Sequence, residues 1–278
     1  HQYEIASEFS HPDAILLRSH KLTMDEIADT VVCIGRAGAG TNNIPVAECT
    51  RRGIPVFNTP GANANAVAEE VIALMLADAR HIIPADASAR AGKWEKKLYM
   101  GTEISEKTMG IVGFGAIGQL VAKRLAGFDV KVLVYDPFLS DERAHDLNAQ
   151  PAELTEIFER CDYVSLHMPE TDETRGIISR SLVQRMKQGA TLINCARAGI
   201  INEEDLRALK ADKELRFLND VYPKDEPGSK SVADIADIML PHLGASTKEA
   251  NHKAALRSAT QLIDYDDKGI ASYVVNRN

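Results

Sequence analysis

The sequence Gly113-Phe-Gly115-Ala-Ile-Gly118 narrows what this chain can fold into more than any other feature. It follows an apolar run at 108–112 and opens a helix-like stretch at 116–127. Eighteen residues after Gly118, at the end of a second apolar run at 131–135, stands Asp136. Strand, glycine turn, helix, strand and terminal acid together make the fingerprint of a dinucleotide-binding βαβ unit. Gly113 permits the tight turn, Gly115 lets the backbone approach a pyrophosphate, and Gly118 lets the helix pack closely on the strand. Ala116 and Ile117 open the helix, so their N–H groups face the phosphates. Asp136 is placed to accept hydrogen bonds from an adenosine ribose. That favours NAD, because a 2′-phosphate would meet a carboxylate, and neighbouring Pro137 and Phe138 bring no cation.

The alternation of strand-like and helix-like segments runs from end to end, which predicts an α/β protein. The expected architecture is two Rossmann-like domains with doubly wound parallel sheets. Short β-rich runs at 14–17, 30–34 and 55–58 alternate with helix-like segments at 23–29 and 45–52, and Pro45 suits a first helical turn. Val67, Val71, Leu74 and Met75 recur at helical spacing through 65–80, a long helix read as the bridge between domains, with 85–92 continuing it after Pro84. Further strands are expected at 108–112, 131–135, 163–167, 190–194, 215–220 and 237–240. Helical segments at 116–127, 152–160, 181–186 and 203–210 separate most of them. The last helix, at 247–267, is expected to return to the first domain. The predicted division is 1–60 plus 249–278 for a substrate-binding domain, discontinuous in sequence, and 61–248 for the dinucleotide-binding domain.

With 278 residues, 45% of them hydrophobic, the chain is long and apolar enough for two packed cores. A formal charge of −8 argues against a nucleic-acid or membrane-surface binder, since either needs a basic face. No signal peptide is expected, and the sequence shows no apolar stretch of membrane-spanning length. Cys33, Cys49, Cys161 and Cys195 form no CxxC pair. They read as reduced, buried thiols of a cytoplasmic protein, with no disulfide and no metal site expected. The start, His1-Gln-Tyr-Glu-Ile5, lacks a Met and reads as a chain entered partway through.

Ligands of open α/β sheets bind beyond the carboxyl ends of the strands. Three reactive side chains follow predicted strands there: Arg197 in Asn194-Cys195-Ala-Arg197, Glu226 in Asp220-Val-Tyr-Pro-Lys-Asp225-Glu226-Pro227, and His242 in Leu240-Pro-His242-Leu-Gly244. Their order and flanking words resemble the catalytic set of the D-isomer-specific 2-hydroxyacid dehydrogenases. The resemblance covers nearly the whole chain and implies hydride exchange between NAD and a 2-oxo or 2-hydroxy acid. His242 would then supply or take the proton, as the side chain whose ordinary pKa lies nearest neutrality. Glu226 would hold the imidazole and favour its protonated form. Arg197 would offer its fork of donors to the substrate carboxylate and to the carbonyl oxygen as charge develops there. The family commonly places its Glu five residues after the Asp, and that position here is Asp225; Glu226 keeps the Glu-Pro pair, so both remain candidates. Ala198 also departs from the usual Gly. The resemblance further implies that Asp220 contacts the nicotinamide carboxamide, although a strand-terminal acid can equally be a cap. It also implies that His167 and Pro169 flank the adenine and that Cys195 lies within the cofactor site.

Other words point within the family to the branch handling 3-phosphoglycerate and 3-phosphohydroxypyruvate, at the entry to serine synthesis. They are Arg18-Ser-His-Lys21, Gly35-Arg36-Ala-Gly38-Ala-Gly40, Asn58-Thr-Pro-Gly-Ala-Asn63 and Gly92-Lys-Trp-Glu95 leading to Met100-Gly-Thr-Glu103. Arg18 and Arg36 become the implied phosphate partners, with the Gly38 loop offering N–H groups to anionic oxygens and Asn63 contacting substrate. The resemblance implies a substrate cleft between domains and a homodimer built through the dinucleotide-binding domain. The regulatory domain that many of these dehydrogenases carry after the catalytic part is expected to be absent, since the chain stops at Asn278, and the usual first strand to be missing, since the run at 14–17 arrives early. Two rival readings stand: a glyoxylate or hydroxypyruvate reductase of the same family, and a non-catalytic, dinucleotide-sensing corepressor-like protein.

Overall fold

The computed structural model describes all residues except 1, 2, 9, 141–143, 145, 223–231 and 278. The chain divides into two compact units, His1–Asn63 with Ala245–Asn278, and Ala64–Gly244.

The larger unit is built on a parallel sheet. Its strands are β4 (Thr108–Val112), β5 (Lys131–Tyr135), β6 (Ala149–Pro151), β7 (Tyr163–Leu166), β8 (Thr191–Asn194), β9 (Arg216–Asn219) and β10 (Ile238–Met239). Their spatial order is β10-β9-β8-β7-β4-β5-β6, every described pairing is parallel, and the order reverses beside β4. Both faces of this sheet are covered, so its strands read as continuous apolar runs. Met109, Ile111, Val132, Val134, Ile193 and Leu218 pack into one core with α2 (Ala64–Ala79) and α4 (Ala116–Leu125). Their strand neighbours Val112, Leu133, Leu192 and Phe217 pack into the other, against α5 (Leu154–Arg160), α6 (Arg180–Val183) and α7 (Glu203–Lys210). The period of two along each strand thus serves two helical layers at once. The sheet is doubly wound, as the sequence predicts.

Two features depart from the sequence expectation. The edge strand β6, Ala-Gln-Pro, is too short and polar to announce itself, and its proline is tolerated because an edge strand need not donate on its free side. The long helix ends at Ala79, beside the expected end at 80, but the next helix starts before Pro84 instead of after it. His81 takes the left-handed conformation, at φ 51°, and α3 (Ile82–Arg90) starts immediately after it. Pro84 lies in the first turn of α3, where its missing N–H has no helical partner to lose.

The smaller unit carries β1 (Ala14–Leu17), β2 (Cys33–Arg36) and β3 (Val56–Phe57), parallel and in that order. Its core gathers Leu17, Leu22, Ile27, Ile34, Cys49, Ile54 and Val56, with α1 (Val46–Arg51) between the second and third strands. The helix α8 (Lys248–Lys268) lies across β2 at Gly35, where a Cβ would come within 2.6 Å of Ser258 Oγ. The segment expected to be helical at 23–29 forms only a single 3₁₀ turn, Met24–Glu26. The second strand, expected at 30–34, begins three residues later and ends two residues later.

Candidate active site

In the larger unit the carboxyl ends of the strands form one row. Val112 is in register with Tyr135 and with Leu166, Leu166 with Asn194, Asn194 with Asn219, and Asn219 with Met239. The next residues along this edge are therefore Gly113, Asp136, His167, Cys195, Asp220 and Leu240. Residues scattered over more than a hundred positions of sequence are brought to a single sheet edge.

The three glycines of the turn answer to three different constraints. Gly113 sits at φ 97°, and a Cβ there would stand 2.7–2.9 Å from the backbone of His167 and Met168. Gly118 lies directly over the Gly113 carbonyl, so a side chain would force α4 off the strand. Among the described residues no non-adjacent atom lies within 4 Å of where a Cβ of Gly115 would stand, and no side chain caps α4. Open space in front of uncapped helix N–H groups suits a pyrophosphate. Asp136 uses each carboxylate oxygen once, accepting from Phe114 N at 2.7 Å and from Phe138 N at 2.9 Å. A carboxylate oxygen accepts more than one donor, so the ribose assignment is sterically compatible with these bonds. Across the loop, His167 Nε2 pairs with Ser165 Oγ at 2.9 Å, while its buried Nδ1 has no partner among the described residues. Burial draws its pKa down to about 4, so the ring is neutral near pH 7. These features fit a dinucleotide: an open glycine approach, a helix terminus uncapped by any described side chain, an acid at the end of the second strand and a ring nitrogen with no partner among the described residues.

The end of β8 is held by its own last residue. Asn194 Oδ1 accepts from Ala196 N, and its Nδ2 donates to the Arg197 carbonyl, both at 3.0 Å. The half-buried Arg197 donates from Nη1 to the Ala196 carbonyl at 2.7 Å, which leaves its remaining donors for other partners.

Asp220, buried at the end of β9, accepts from Leu243 N at 2.6 Å and from Gly244 N at 2.9 Å. It thus caps the loop after β10, immediately beyond His242, as the sequence allowed. His242 takes the left-handed conformation at φ 59°, and its side chain is exposed. Glu226 and its rival Asp225 lie outside the described residues.

The smaller unit makes its own cluster. Leu17 is in register with Arg36, so Arg18 and Arg36 emerge side by side from adjacent parallel strands, both half-buried. Arg18 Nη2 donates to the Ala245 carbonyl at 3.4 Å. The Arg36 guanidinium lies over Gly38, at φ 154°, where a Cβ would displace it. The loop after β3 reaches the same edge through Thr59 N, which donates to the Gly38 carbonyl at 2.9 Å, and Asn63 stands half-buried four residues further on.

Residues 72–244 match the family model of the D-isomer specific 2-hydroxyacid dehydrogenase NAD binding domain, a span lying wholly within the larger unit. The chain belongs to the D-isomer specific 2-hydroxyacid dehydrogenases. The D-3-phosphoglycerate dehydrogenase of Synechocystis sp. is 40% identical over 257 residues, covering 91% of this chain and 46% of that protein. The crystal structure of NAD+-bound 3-phosphoglycerate dehydrogenase from Entamoeba histolytica is 33% identical, with a TM-score of 0.77. That match covers 95% of this chain and 82% of that one. A glyoxylate reductase structure from Paecilomyes thermophila is 29% identical with a TM-score of 0.81, over 94% and 83% of the two chains. The chain spans about half the length of the curated relatives it matches.

One residue of this dehydrogenase-family site escaped the sequence reading. Glu70, on α2, reaches the row of strand ends. Its carboxyl stands within hydrogen-bonding reach of Asp220 and of the Cys195 thiol, with Oε2 buried and without a donor among the described residues. Burial first, then the Asp220 charge, raise its pKa to about 8, far above an ordinary carboxylate. Burial, with these two acids beside it, pushes the Cys195 thiol well upward too. The signal was present: Glu70 lies three residues from Val67 and four from Leu74, a carboxylate on the apolar stripe of a helix.

Proposed function

We propose that this chain catalyses the NAD-dependent interconversion of 3-phosphoglycerate and 3-phosphohydroxypyruvate. The carrying observation is the placement of Arg197, Asp220 and the His242 loop at the ends of β8, β9 and β10, on the edge that also bears the glycine turn. The identity to a D-3-phosphoglycerate dehydrogenase supports the choice of acid.

Bound NAD would supply or accept the hydride at the substrate's second carbon. Gly113, Gly115, Gly118 and the N–H groups of Ala116 and Ile117 would hold its phosphates, Asp136 its ribose, and His167, Pro169, Cys195 and Asp220 would contact the remainder. His242 donates its proton to the carbonyl oxygen in reduction and, neutral, takes the hydroxyl proton in oxidation. Arg197 binds the substrate carboxylate and stabilises negative charge developing on the reacting oxygen. By the family's motif, Glu226 holds the imidazole, with Asp225 as the alternative. Arg18, Arg36, the Gly38 loop and Asn63 provide the charge and donors that a second, phosphate anion requires.

Association as a homodimer through the larger unit is supported by Trp94, Leu98 and Met100, large apolar side chains that stand exposed on it. Four buried free thiols suit a reducing, cytoplasmic setting. Among the described residues, no helix is long and apolar enough to cross a membrane.

The test is NADH oxidation with phosphohydroxypyruvate, hydroxypyruvate, glyoxylate and pyruvate, for the wild type and His242→Ala. Preference for the phosphorylated acid is expected, with turnover lowered about 10²–10⁴-fold in the variant. Preference for glyoxylate would turn the reading to a glyoxylate or hydroxypyruvate reductase. NADH binding without turnover on any acid would leave a dinucleotide-sensing protein.

A further inference from the structure

A carboxylate is an acceptor only, and two facing carboxylates repel unless a proton lies between them. Glu70 and Asp220 are such a pair. Asp220 already accepts two main-chain N–H groups, while among the described residues the buried Oε2 of Glu70 has no donor aimed at it. Both approach the α-carbon of Gly244, where a Cβ would stand 3.0 Å from Glu70 Oε2 and 3.3 Å from Asp220 Oδ2. The absence of a side chain at Gly244 gives the two acids room to meet beneath the loop that carries His242.

We propose that Glu70 is a positioning residue that holds a proton toward Asp220, so that the pair carries a single negative charge and clamps the Pro241–Gly244 loop behind His242. With Glu70 protonated, Asp220 accepts a third hydrogen bond while keeping those from Leu243 and Gly244. Loss of that proton sets a second charge against Asp220 and loosens the clamp. Among the described residues, the titratable groups bearing on Glu70 are Asp220 at the end of β9 and Cys195 at the end of β8. On its own helix Glu69 is exposed and accepts from Asn65 Nδ2 at 2.8 Å. The role in turnover rests on the function proposed above; the shared proton does not.

The folded-state pKa of Glu70, about 8, lies above its ordinary value of 4.5. The folded chain therefore holds the extra proton between those limits, and the associated stability is full below the lower one and lost as pH rises toward the upper one. Urea unfolding of wild type and Glu70→Gln at intervals from pH 5 to pH 8 reads this without any substrate. The wild type is expected to lose stability relative to the variant as pH rises, because glutamine keeps the donor and cannot ionise. Parallel curves overturn the proposal. Should the variant not fold, infrared spectroscopy of the wild type replaces it: a protonated-carboxyl band present at pH 6 and lost by pH 9 is expected, and its absence at pH 6 overturns the proposal. In turnover, the alkaline fall of the wild-type profile should be steeper than that of Glu70→Gln, and Glu70→Leu should retain less turnover than Glu70→Gln. Identical alkaline limbs, or equal losses in both variants, overturn the positioning role. A wild type inactive on every acid defeats the function proposed above and leaves the unfolding and infrared results to decide the shared proton.

Discussion

The carboxylate of Asp136 accepts a hydrogen bond from the main-chain N–H of Phe114 at 2.7 Å, joining the acid at the end of β5 to the glycine turn at the end of β4. The two halves of the sequence fingerprint are thus one hydrogen-bonded unit, and the turn is held where Gly115 faces open space.

Gly113 and Gly115 should therefore fail differently. Gly113→Ala meets both a left-handed φ and the His167–Met168 backbone, and we expect a loss of about 1–3 kcal/mol in urea unfolding. Gly115→Ala, at φ −71° with no protein atom near its Cβ, should keep the wild-type melting temperature. Its methyl group occupies the phosphate approach, so NADH binding followed by fluorescence should weaken at least about tenfold. An unchanged Kd would move the pyrophosphate away from Gly115.

Acid should weaken the larger unit through His167. Its folded-state pKa, about 4, lies below the ordinary 6.5, so the unfolded chain takes up the proton first and stability falls as pH drops from about 6.5 toward 4. His167→Gln cannot ionise. Its unfolding free energy should fall less than that of wild type over the same window, and equal slopes would mean that the ring is protonated in the fold.

The second helix is tied to the sheet by charge. Asp78, buried on α2, accepts from Arg216 Nε at 3.0 Å and Nη2 at 2.5 Å, and Arg216 Nη1 also reaches Asp237 at 2.8 Å. Asp78→Ala strands the guanidinium with one partner. Because Arg216 keeps some contact with water, we expect about 2 kcal/mol of destabilisation, less than for a fully enclosed pair. A change under about 0.5 kcal/mol would show that solvent replaces the bond in full.

The arginines of the smaller unit bear on the choice of acid. Arg18→Ala and Arg36→Ala should each raise KM for phosphohydroxypyruvate more than for glyoxylate, by about tenfold or more for a lost charge-assisted contact. An unaltered preference in both variants would remove them from the phosphate site.

Much of the larger unit was legible because a sheet covered on both faces needs continuous apolar strands, and 108–112, 131–135 and 190–194 advertise themselves in that way. The polar edge strand β6 and the break at His81 were not. The first carries almost no apolar signal, and the second depends on a backbone conformation that composition does not encode. The residues after the strand ends were readable as a set, since parallel strands bring their carboxyl ends to one edge whatever their spacing in sequence. Glu70 was overlooked because its partner Asp220 lies far along the chain, and a carboxylate on a helix reads as solvated until something is known to lie against it.

By itself, then, the sequence determined the α/β class, the dinucleotide turn and the strand-end residues, because those follow from local periodicity and from glycines at fixed offsets. Only tertiary structure decided that Asp220 grips the backbone behind His242, that Asp136 ties back to Phe114, and that a second carboxyl reaches Asp220 from α2. Hydrogen bonds and charge interactions act over a few ångströms of space, and the folded chain alone sets which distant residues share that distance.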